Sequence, residues 1–79
     1  MIEIIRDCVL TSAITDNKVM PDIGTICEVS VSSGKTNGDF DPTRYSFHKL
    51  EADGSTCYLG TLNEHEFDDA IEKGIIRRQ

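Results

Sequence analysis

Cysteine is scarce in this sequence and badly spaced for cross-linking. Cys8, Cys27 and Cys57 are odd in number and form no Cys-x-x-Cys pair, which excludes a disulfide framework. In a reducing compartment such residues serve as small buried hydrophobes. Long apolar runs are missing too, and nothing approaches the roughly 18 residues of a membrane span. Glu3, Arg6 and Asp7 interrupt the first ten residues, unlike the apolar region of a signal peptide. A cytoplasmic location away from membranes is the expectation.

Positive charge is the third shortage. Eight basic residues stand against fourteen acidic ones, giving a net charge of −6 and a pI near 4.6. Binding through a phosphate backbone needs a positive surface, so direct nucleic-acid binding is disfavoured. A protein partner with a basic surface is compatible with this charge. The 79 residues make a single domain, 1–79. A chain of this size buries only about 60% of the surface its unfolded form exposes, which leaves little room for a substrate cavity. Its apolar share of 38% and mean hydropathy of −0.29 are those of a compact domain.

What the sequence does contain is one fully specified helix, over residues 63–73. Asn63 suits the N-cap, and Glu66 three residues later can reach back to complete a capping box. Leu62 and Phe67 occupy the hydrophobic-staple positions around that cap. Gly74 suits a left-handed residue beyond the C-terminus, with Ile75 closing the cap. Phe67, Ala70 and Ile71 form one apolar face, and Glu64, Glu66, Asp68, Asp69 and Glu72 make the remainder acidic.

The rest reads as strands. Residues 2–10 predict a first strand, with Ile2, Ile4, Cys8 and Leu10 on one face and Arg6 as the exception. A turn-rich stretch over 11–22 leads to a β-turn at Pro21-Asp22-Ile23-Gly24. Thr25 to Val31 predicts a second strand, with Cys27, Val29 and Val31 sharing a face. Residues 32–42 have two glycines, one proline and no period, and read as a surface loop carrying one large apolar residue, Phe40. Residues 43–51 and 55–61 predict a β-hairpin closed by a type I′ turn at Asp53-Gly54, with Cys57 turned inward. Ile75 to Arg78 can close as a short strand. The fold class is therefore α+β: a small antiparallel curled sheet or open barrel of four to five short strands, with one C-terminal helix packed on it.

Sharper chemistries meet specific objections. Ser33-Gly34-Lys35-Thr36 lacks the earlier glycine of a phosphate loop, where Val29 stands. Asn37, Asp39 and Asp41 have calcium-loop spacing, but Pro42 replaces the turn glycine and His48 the closing glutamate. His48, Cys57 and His65 are too widely separated for a zinc site. A Cys–His nucleophile needs an exposed thiol, and the in-phase cysteines predict burial. Asp68 and Asp69 are adjacent on a helix and diverge by about 100°. No metal, cofactor or catalytic residue is expected, and the chain reads as non-enzymatic.

Two binding surfaces remain. The acidic helix residues, with Phe40 as an apolar anchor, predict a regulatory or inhibitory protein that engages a basic protein surface, such as that of a nucleic-acid-handling enzyme. Small acidic regulators of this kind are commonly encoded by viruses and mobile elements. Tyr45, Phe47 and Tyr58 give an alternative, a stacking platform for single-stranded nucleic acid or a small ligand. A structural homodimer formed by edge pairing of Thr25–Val31 is the third reading.

Overall fold

The computed structural model describes the backbone of residues 1–36 and 39–79, and the side chains outside 33–42. The chain runs β1 (Ile2–Ile4), β2 (Leu10–Thr11), β3 (Lys18–Val19), β4 (Ile26–Thr36), β5 (Asp39–Leu50), β6 (Thr56–Asn63), α1 (Glu64–Glu72) and β7 (Ile76–Arg78). All the strands join one antiparallel sheet in the order β3-β2-β6-β5-β4-β1-β7. The sheet curls into a half-barrel, and α1 packs against β5, β6 and β7. Seven strands replace the four to five expected.

One extra strand is β3, within the stretch 11–22 expected as turns, and the other arises from residues 2–10, which do not form one strand. The chain breaks at Arg6, where the Ile5 and Arg6 N–H groups both donate to the Ile75 carbonyl, at 2.8 and 3.1 Å. β1 then lies on one flank of the β4–β5–β6 meander and β2 on the other. In a flat sheet those flanks would stand four strand spacings apart, about 19 Å. Six chain steps reach about 20 Å only when fully extended, and this segment is bent. Curling brings the flanks within reach. The alternating apolar residues nevertheless all point inward, so Ile2, Ile4, Cys8 and Leu10 are buried.

The stretch 32–42, expected as a loop, continues β4 and β5 as a hairpin arm. The arm runs past the sheet, because β6 ends at the Asn63–Arg44 pair and β1 reaches only Cys27. Pro42 falls where the ladder steps from Ser32↔Arg44 to Gly34↔Asp41, a bulge that tolerates its missing N–H. The Phe40 side chain and the phosphate-loop and calcium-loop side chains lie outside the described residues.

Two hairpin details also differ. Asp53 is not at positive φ; only Gly54 is, at 88°. The bonds Gly54 N–H to Glu51 O and Glu51 N–H to Ser55 O define a three-residue loop rather than a type I′ turn. In β6 the pairing steps from Phe47↔Gly60 to His48↔Tyr58, which makes Leu59 the extra residue of a bulge. Cys57 pairs with Lys49 near the hairpin end, past that bulge, and is exposed rather than buried.

The helix follows its sequence signals closely. Glu66 N–H donates to Asn63 Oδ1 at 2.7 Å, and Asn63 N–H donates to Glu66 Oε1 at 3.1 Å. A cap of this kind contributes about 1 kcal/mol. Gly74 has φ 70°, with Gly74 N–H donating to Ile71 O and Ile75 N–H to Ala70 O. This is the paired closure of a Schellman cap. Phe67 and Ala70 are buried against Phe47, Leu62 and Ile76 in one core, and Ile71 packs at its margin.

Candidate interaction surface

The five acidic helix residues do not form one equivalent stripe. Residues advance about 100° each around a helix, so Glu64, Asp68 and Glu72 form one row about 12 Å long. All three are exposed, and none has an ion-pair partner among the described residues. Glu66 lies on the other flank and is engaged in the cap. Asp69 is half-buried and pairs with Lys73 at 3.0 Å. Glu66 and Asp69 border a shallow cleft with Asp7 and Cys8.

Helix stability does not account for the row. The positive end of the helix dipole favours Glu64 and Glu66 in the first turn, but the negative end opposes Glu72. Glu64–Asp68 and Asp68–Glu72 are like-charge pairs four apart, each destabilising by roughly 0.2–0.5 kcal/mol. No basic residue occupies the last turn to offset them. Glu72 and the two like-charge pairs thus offset what Glu64 contributes at the N-terminus.

The helix that carries this row is firmly seated. Phe67 lies flat on Tyr45, with ring centroids 3.8 Å apart and planes 3° from parallel. Phe47 meets Phe67 at a tilt, 6.2 Å away, and the Arg78 guanidinium sits 5.6 Å from the Phe67 ring centre. Tyr45 is therefore occupied by the helix, and Phe47 is fully buried. Tyr58 pairs with His48 on the opposite side of the sheet, their rings 5.4 Å apart, and its hydroxyl accepts a bond from Ala13 N–H. The three aromatics expected as a stacking platform do not share one exposed face.

The thiols divide in a way the sequence did not show. Cys8 and Cys27 are buried. Burial pushes the Cys8 thiol above its ordinary pKa, with Cys27 and Glu66 adding to the shift. Burial likewise raises Cys27, against the opposing pull of Lys49. Both stay protonated and unreactive near neutral pH. Alkylation of the folded protein should accordingly give one fast adduct, at Cys57, and two more only in denaturant. Intact mass and peptide mapping read this directly; comparable rates at Cys8 or Cys27 would contradict their burial.

Among the described residues no group of three His, Cys, Asp or Glu side chains could hold a metal ion, and no helix is long and apolar enough to cross a membrane. Comparison with protein-family models, curated proteins and solved structures finds no match to this chain.

Proposed function

We propose that this is a non-enzymatic regulatory or inhibitory protein of the cytoplasm, acting by binding a protein with a basic surface. The carrying observation is the Glu64–Asp68–Glu72 row, exposed and unpaired among the described residues. Fixed like charges on a rigidly docked helix speed association with an oppositely charged surface and orient the encounter. A nucleic-acid-handling enzyme offers such a surface in the groove that binds its phosphates. On this reading the helix row occupies that groove as a charge mimic. The single-stranded nucleic-acid reading receives no such support, since its aromatic rings are dispersed over two faces of the sheet.

Charge reversal tests the proposal. Glu64→Lys, Asp68→Lys and Glu72→Lys together leave the Asn63–Glu66 cap and the Asp69–Lys73 pair intact. The triple variant should lose the nucleic-acid-handling enzyme that the parent protein retains from lysate of its source cell. Equal retention by both proteins would refute the helix row as the contact.

A further inference from the structure

Val31 is an apolar residue on the core face of the sheet that the core leaves uncovered. It stands in phase with Cys27 and pairs with Tyr45, yet it is 61% exposed where Cys27 is fully buried. With Ile2, Val29, Tyr45, Phe67 and Arg78 it lines an open groove of about 350 Å³. Met1 and Gln79 complete the lining, joined by a bond of 2.9 Å from the Gln79 N–H to the Met1 carbonyl. The positions of Val29, Val31, Tyr45 and Phe67 are set by the β4–β5 ladder and the seating of α1. No Asp or Glu side chain lines the groove, and Arg78 is its one charged side chain. Glu28 alternates onto the other face of β4, and the acidic row is centred about 100° around the helix from Phe67. The Arg78 guanidinium lies 5.6 Å from the Phe67 ring centre and has no carboxylate partner among the described residues. The adjacent Arg77, by contrast, is paired with Glu3 at 2.9 Å.

We propose that this groove binds an aliphatic carboxylate, with its tail along Val29 and Val31 and its head on Arg78. The volume lies near the lower limit of small-molecule pockets, roughly 300–1,000 Å³, so the ligand is small. Charge selects the head. A guanidinium offers a planar fork of donors that matches a carboxylate, and here that fork has no internal acid to hold it. Shape selects the body. Phe67 has Tyr45 stacked on its ring and the Arg78 guanidinium beside it, so the aromatic pair has little free face on which a flat ligand could stack. The uncovered wall is the valine pair, against which a flexible methylene chain packs. The net charge of −6 does not forbid an anion, since charges beyond about 8 Å are screened at physiological salt. The inference is independent of the helix row, none of whose residues lines the groove.

The probes are hexanoate, octanoate and decanoate, with decylammonium and decanol as the cationic and neutral controls, titrated near physiological salt and followed by NMR. The carboxylates should shift the Val29 and Val31 methyl signals, with affinity rising roughly fourfold per added methylene until the groove is filled. Decylammonium should bind at least tenfold more weakly than decanoate. Arg78→Gln should weaken decanoate roughly tenfold or more and leave decanol within twofold. If that change also lowers the thermal melt, the comparison of charged heads on the parent decides. Val31→Glu puts a carboxylate into the groove at an exposed position, so decanoate binding should be lost while the melt stays close to the parent's. Equal affinity for decanoate and decylammonium, shifts that spare both valines, or binding only where the probe forms micelles overturns the proposal. No residue of the helix row is altered, so failure here and failure of the row are separable.

Discussion

Replacement of Phe67 by alanine is expected to destabilise the fold by about 3–5 kcal/mol. Phe67 is only 2% exposed and is the residue through which α1 reaches the sheet, lying on Tyr45, beside Phe47 and under Arg78. Truncation removes the buried ring and the stacking on Tyr45, which is worth about 0.5–1.5 kcal/mol beyond its area. The lining collapses poorly, because Tyr45 and Phe47 are fixed in a paired strand. Domains of ordinary stability hold only about 5–15 kcal/mol in total, so the variant should be close to unfolding at room temperature. Denaturant unfolding of both proteins gives the difference; a loss under about 1 kcal/mol would mean that α1 is not anchored through this ring.

Gly60→Ala is the second large effect, and it acts by crowding. An added Cβ would lie 2.8 Å from Leu10 Cβ and 3.1 Å from the Thr11 backbone C and O. Nothing there is a flexible side-chain end, so β2 must shift away from β6. Leu10 is fully buried, and moving it opens the core. Overpacking of this sort costs about 1–3 kcal/mol. For a domain of this size that corresponds to a melting temperature lower by roughly 5–20 °C. An unchanged melt would show that β2 does not cross so near to β6.

These two residues mark what the sequence could and could not disclose. Phe67 was legible because a helix's caps and apolar face are local, and Asn63, Glu66 and Gly74 act within a turn of their own positions. Gly60 depends on a strand fifty residues earlier crossing over it. A glycine within a strand was the one available sign, since such glycines mark bulges or close backbone approaches. The same distinction explains residues 2–10. Their alternation predicted correctly which side chains are buried, but the division into β1 and β2 is imposed by the curl of the sheet. The β4–β5 arm was hidden because main-chain pairing joins it, and every residue type carries those groups.

The candidate surface was legible only in part. The five acidic residues were evident, but their unequal standing rests on partners that only the fold supplies: the cap for Glu66 and Lys73 for Asp69. What remains is a three-residue row.

The association rate with the captured partner tests the central claim most directly. It should be measured for the parent and the Glu64→Lys, Asp68→Lys, Glu72→Lys variant as ionic strength rises from about 0.01 M to about 1 M, which shortens the Debye length from about 30 to about 3 Å. Recognition through the row predicts a fast parent rate that falls steeply with salt, and a variant that is slow at low salt and loses nothing as salt increases. Equal rates for the two proteins at low salt would contradict it.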